Sequence, residues 1–86
     1  MNRVEQFQKV QKEGLELFKK KNADYGDSFI IYGMVGVLIR MQDKINRLVN
    51  ISNTNINVVK NETLRDTLLD LHNYSALALL LFDEKK

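Results

Sequence analysis

From Asn61 to Asp83 the chain contains neither proline nor glycine, and its apolar residues recur on two opposite sides of an α-helix. At about 100° per residue, Leu64, Leu68, Leu71, Ser75, Ala78 and Phe82 make one stripe. Glu62, Asp66, Leu69, Asp70, Asn73, Ala76, Leu77 and Leu80 make the other. A helix apolar on both sides has to be covered on both sides. The segment is therefore expected to be the central helix of a bundle or of an interface between copies of the chain. Asn61 is its expected N-cap, with Glu62 in the first turn.

Two further helices are expected, and with no proline in the chain their breaks must come from Gly, Asn, Asp and Ser. Between Arg3 and Lys21, Val4, Phe7, Val10, Leu15, Leu17 and Phe18 share one side, while Glu5, Lys9, Lys12, Glu13, Glu16 and Lys20 share the other. Asn2 is a suitable cap. Gly14 is either a mild helix defect or a point of close helix contact. The turn formers in 22–28 predict a stop near Asn22. Phe29 to Met34 has strand propensity but no partner strand, which favours a short helix or a buried loop. From Val35 to Asn50, Val37, Leu38, Met41, Ile45, Leu48 and Val49 form an apolar face opposite Arg40, Asp43, Lys44 and Arg47. A polar loop over 51–57 follows, anchored by Val58 and Val59. The expected fold is thus a single all-α domain over 1–86: a small bundle of three main helices plus a short helical or irregular segment. With 86 residues and no cysteine to staple it, such a bundle is expected to be completed by oligomerisation.

Several function classes fall away at this stage. The formal charge of +2 is nearly balanced, and the lysines near Lys19-Lys20-Lys21 read as a solvated helix face, which argues against nucleic acid as a partner. The longest apolar stretch, 75–82, is too short to span a bilayer, and no secretory leader is visible. A cytoplasmic location is the expectation. There is no phosphate-loop glycine pattern, and a single histidine with scattered serines gives no nucleophilic triad. His72 reads as a rim histidine, and Glu5, Glu13 and Glu16 as solvent-facing.

The acidic stripe carries the chemistry. Glu62, Asp66, Asp70 and Asn73 run into leucines, so they are expected to point into a partly enclosed space. Clustered carboxylates at low dielectric need positive charge nearby. A hard cation such as Mg²⁺ suits oxygen ligands, with Asp43 as a further ligand and Arg40, Lys44 and Arg47 for phosphate. Spacing leaves a second reading equally open, in which the acids pair with Arg40, Lys44 and Arg47 in an ionic network. Tyr25, Phe29 and Tyr32 either stack on a base or pack in the core, and Tyr74 is a further candidate for a base pocket.

Three blocks carry a resemblance: 22–29; Gly33 to Gly36 followed by 40–48; and 61–75. Together they resemble the nucleotide-modification-associated domain family of phages and bacteria, which looks related to MazG-like and dimeric dUTPase all-α nucleoside triphosphate pyrophosphohydrolases. The resemblance implies a Mg²⁺-dependent helical enzyme, with Mn²⁺ as a substitute, assembled as a homo-dimer or tetramer. It would cleave a nucleoside triphosphate between its α and β phosphates. The relatives hold metal with paired acids spaced ExxE and ExxD. Here Asp43, followed by Lys44 and Arg47, stands in place of the first pair, and Glu62, Asp66 and Asp70, with Asn73, in place of the second. The resemblance therefore implies Glu62, Asp66 and Asp70 as catalytic residues, joined by Asp43 around the metal, and Arg40, Lys44, Arg47, Asn73 and Tyr25 around the substrate. The missing first pair motivates an alternative: a non-catalytic nucleotide- or protein-binding helical module from a phage or mobile element.

Overall fold

Helix α1 spans Arg3–Tyr25, a 3₁₀ turn spans Ser28–Ile30, α2 spans Gly33–Ser52 and α3 spans Val58–Glu84. The structure, a computed structural model, describes residues 2–26, 28–52 and 58–84, without the side chains of 24, 25, 52 and 58–62. The chain is an all-α bundle of three main helices, as the periodicities require.

Asn2 caps α1, accepting the Glu5 N–H at 2.8 Å. The helix then runs past its expected stop at Asn22 to Tyr25. Asparagine and aspartate cost a helix only about half a kcal/mol each, and no proline interrupts the ladder. Gly26 ends it. Its φ of 61° and ψ of −143° belong to a region open essentially to glycine, and its N–H donates to the Asn22 carbonyl at 2.7 Å. The apolar run 29–34 divides between the 3₁₀ turn and the first turn of α2. Helix α3 starts at Val58, so Asn61 lies inside the helix and not at its cap. The expected loop residues 53–57, and the anchoring side chains of Val58 and Val59, lie outside the described residues.

Packing is dominated by α2 against α3, with α1 meeting α3 over a smaller area. Val37 near the start of α2 packs with Leu77, Ala78 and Leu81 near the end of α3, while Lys44 pairs with Asp70 further along, so the two helices run antiparallel. Val37 is only 2 % exposed. On α3 the buried side is centred on neither expected stripe. Thr67, Tyr74 and Leu81 lie between the stripes, about a quarter turn from the middle of each. One edge of each stripe is buried, Leu77 from one and Ala78 from the other, while Leu68, Leu80 and Phe82 are exposed. The buried Thr67 satisfies its hydroxyl by donating to the Thr63 carbonyl at 2.8 Å.

On α2 the side turned to α3 runs through Met34, Val37, Met41, Lys44 and Leu48. Lys44, expected on the outer face, therefore sits in the inward line, whereas Leu38, Ile45 and Val49 are exposed. Helix α1 crosses α3 at Gly14, its one buried residue among those described. A Cβ there would lie 2.7 Å from Asn73 Oδ1 and from the His72 ring. The close-contact reading of Gly14 holds. Towards the N-terminus of α1, Val4, Phe7 and Val10 stay exposed, Phe7 by 63 %.

Gly26 offers a clean test, because no atom lies within 4 Å of a Cβ built on it and only the backbone objects. Gly26→Ala is expected to cost roughly 1–3 kcal/mol, read as a lowered melting temperature. An unchanged melting curve would show that α1 does not end in this conformation.

Candidate functional site

The three helices meet at Asp70. Its Oδ1 accepts from Lys21 Nζ of α1 at 3.0 Å, and its Oδ2 pairs with Lys44 Nζ of α2 at 3.2 Å. The Asp70 side chain is 19 % exposed and that of Lys44 24 %, against 52 % for Lys21. One carboxylate thus holds two ammonium groups, leaving a surplus of one positive charge at a partly desolvated point. Coulomb attraction there is less screened than on an open surface.

Beside this cluster lies a cleft of about 130 Å³ between α1, the 3₁₀ turn and α3. Phe18, Phe29, Tyr74 and Leu77 form its apolar wall, and Lys21, Asn22, Asp70 and Asn73 its polar one. Phe18 and Phe29 meet edge to face at 6.4 Å between centroids, which fixes one corner. Asn73 is anchored at its back, donating to the Gly14 carbonyl at 3.0 Å. Its Oδ1 stands 2.8 Å from His72 Nδ1, a contact that places the proton on that nitrogen. Asn22 Oδ1 is buried without a hydrogen-bond partner among the described residues.

The expected site residues separate. Asp70 and Asn73 come together at the cleft, and Lys44 stands behind Asp70. Asp66, one turn before Asp70, points away from the buried side and is exposed. Asp43, Arg40 and Arg47 are exposed on α2. The side chains of Glu62 and Tyr25 lie outside the described residues. Of the other aromatics, Phe29 and Tyr74 line the cleft, whereas Tyr32 is 83 % exposed. The expected line of inward acids thus reduces, among the described residues, to Asp70 alone on α3, because the buried side lies to one flank of the acidic stripe. Among the described residues no three His, Cys, Asp or Glu side chains cluster closely enough to hold a metal ion. Asp70, engaged by two ammonium groups, is poorly disposed to accept a dication. The described residues therefore give Mg²⁺ binding no direct support, and the contacts of Asp70 are those of the ionic-network reading, with Lys21 taking the place expected for Arg40 and Arg47.

A second interhelical pair, Arg65 to Glu13, is bidentate at 2.7 Å on both arms. Hydrogen bonding to the Arg65 guanidinium holds the Glu13 carboxyl below its ordinary value. A lowered folded-state pKa favours the fold above the unfolded pKa, and that contribution fades as pH falls through the folded one.

The sequence pattern puts Lys21 on a solvated face, Asn22 among turn formers and Phe18 in the core. Helical spacing carries the missed signal. Once α1 extends through residue 25, Phe18 and Asn22 lie one above the other at i,i+4 with Lys21 beside them.

A family model described as nucleotide modification associated domain 1 matches residues 21–82. The chain belongs to this family. The matched span holds every residue lining the cleft except Phe18 and leaves most of α1 outside. No curated protein and no solved structure matches significantly. This nucleotide-modification-associated domain is therefore a nucleotide-associated helical domain by family. Among its described residues no helix is long and apolar enough to cross a membrane.

Asp70→Asn discriminates between the two electrostatic readings. An acid crowded by other acids stabilises the metal-free protein when neutralised. An acid bracketed by lysines does the opposite. The expected loss is about 1–2 kcal/mol, discounted for the exposure of Lys21, seen in melting curves with chelator present. A mutant melting above wild type would mean that the lysines do not hold Asp70.

Proposed function

We propose that the chain is a non-catalytic nucleotide-binding module, taking part of a nucleotide into the cleft between α1 and α3 and meeting its phosphate with Lys21 at the rim. The observation that supports this is the two-lysine, one-carboxylate cluster at the edge of an aromatic cleft. The surplus ammonium charge favours an anion, and Phe18, Phe29 and Tyr74 favour a flat ring next to it. Size bounds the fit. At about 130 Å³ the cleft is well under the roughly 300 Å³ of a small full-ligand pocket, so a base-sized fragment enters and the phosphate stays at the rim.

Isothermal titration with nucleosides and their mono-, di- and triphosphates, with and without Mg²⁺, tests this. Phosphorylated ligands should bind more tightly than nucleosides, and Lys21→Ala should remove about five- to tenfold of that gain. Equal binding of nucleoside and nucleotide, or none of either, would count against the module. The pyrophosphohydrolase reading, with the MazG-like kinship behind it, requires Asp70 to leave both lysines and gather with Glu62, Asp66 and Asp43 around Mg²⁺ or Mn²⁺. Arg40, Arg47, Asn73 and Tyr25 would then surround the triphosphate. Pyrophosphate released from any (deoxy)nucleoside triphosphate with either metal would restore that reading, and none is expected.

We also propose that the chain self-associates as a homodimer or tetramer. The exposed Phe7, Val10 and Leu15 of α1, with Leu80 of α3, leave apolar surface that a bundle this small does not cover. Because Leu77 is core, Leu77→Asp should unfold the chain. Leu80, 47 % exposed, is the informative position. Leu80→Asp should give a folded monomer by sedimentation where wild type sediments as an oligomer at micromolar concentration. A wild-type monomer under those conditions would end this reading.

A further inference from the structure

Asn22 is the one described residue with a buried side-chain oxygen lacking a hydrogen-bond partner, and it lines the aromatic cleft. A buried unsatisfied acceptor is costly and uncommon in a folded protein. It sits in the last turn of α1, one helical turn after Phe18 and next to Lys21. Its terminal torsion is soft, so rotation about it is open to the amide when a ligand occupies the cleft that Asn22 lines. The adjoining groups limit what that is. Phe18, Phe29 and Tyr74 suit a flat ring, and Lys21 stands at the rim for an anion.

We propose that Asn22 Oδ1 is a specificity-determining acceptor that selects bases carrying an exocyclic amino group over bases carrying a carbonyl at the same position. This rests on the nucleotide-binding reading above and names the edge of the ligand that the cleft reads. A base that enters ring first, with its phosphate left at the rim, brings the part farthest from the sugar towards the buried polar atoms of the lining residues, Asn22 Oδ1 among them. In cytosine and adenine that part is an amino group, which donates to Oδ1. In uracil and hypoxanthine it is a carbonyl, which sets acceptor against acceptor. A site built to hydrogen-bond one group rejects the analogue lacking it, because its own buried polar atom is then left unpaired.

The test is a pair of titrations on the full chain: cytidine monophosphate against uridine monophosphate, and adenosine monophosphate against inosine monophosphate. Each is run with wild type and with Asn22→Ala. Wild type should prefer the amino base in each pair by about tenfold. Asn22→Ala should bring both ratios close to one while still binding all four ligands. Binding of all four with equal affinity in wild type, or a preference for the keto bases, overturns the assignment of Asn22 and leaves the nucleotide-binding reading standing. A preference that persists in Asn22→Ala overturns it as well, by placing selection elsewhere. No binding of any of the four overturns both readings. Circular dichroism of Asn22→Ala guards against loss of the fold, and Asn22→Asp, which keeps the oxygen acceptors, should retain the amino preference should the alanine variant prove unfolded. Loss of that preference in a folded Asn22→Asp chain also overturns the assignment.

Discussion

One carboxylate ties the three helices to one another. Asp70 is the only described side chain that touches charged groups from both other helices, Lys21 of α1 and Lys44 of α2. The apolar core joins α2 to α3 through Val37, Leu77, Ala78 and Leu81 and would hold that pair without it. Helix α1 has less. It is fixed by the close approach at Gly14, by Phe18 against the core, by Arg65 on Glu13, and by Lys21 on Asp70. The first two set where the helices cross. Arg65 on Glu13 lies at that crossing, and Lys21 on Asp70 lies about two turns further along α1, where it resists rotation about it. A directional, charge-assisted contact suits that task better than apolar burial, which is indifferent to angle.

Lys44 shows the cost of such an arrangement and its consequence. An ammonium in the inward line of α2, between Met41 and Leu48, gives up part of its hydration. It is tolerated because Asp70 lies opposite, and Asp70 is tolerated because Lys21 closes its other side. Replacing the cluster with leucines would be neutral or favourable for stability by the usual balance of desolvation against attraction. Its value therefore lies elsewhere: it fixes the alignment of three helices and sets two ammonium groups on one carboxylate. A purely apolar seam would do neither.

How far the sequence disclosed this follows from what periodicity measures. The three helices, the Asn2 cap and the close contact at Gly14 were legible, because apolar spacing, capping chemistry and a lone glycine are local signals. The facing of α3 was not. Two apolar stripes on one helix define a direction of burial between them as well as along each, and only the partner helices decide which is used. The result was a rotation of about a quarter turn, small for the fold and decisive for the site. It kept Asp70 inward, left Asp66 in solvent, and exposed Leu68 and Phe82. The same ambiguity on α2 moved Lys44 from the outer face to the inner one. Lys21 and Asn22 stayed hidden because residues 22–28 have the composition of a turn, and turn composition says where a helix is able to stop, whereas Gly26 says where it does.

Cleft and clamp share their residues, and this couples binding to the position of α1. Asn22 belongs to the last turn of that helix, Phe18 and Lys21 to the turn before, while Asp70, Asn73 and Tyr74 come from α3. A ligand seated between them bridges the two helices as the Lys21–Asp70 pair does. An anion at the rim competes with Asp70 for Lys21, so the charge it gains is partly withdrawn from the clamp. The ligand must therefore replace the contact it weakens, and a ring held between Phe18 and Tyr74 is placed to do so. Free phosphate, with no ring, gains the lysine and leaves the helices less firmly joined. On the proposed reading a ligand that carries a flat apolar ring and a negative charge in one molecule, as a nucleotide does, is favoured over either part alone.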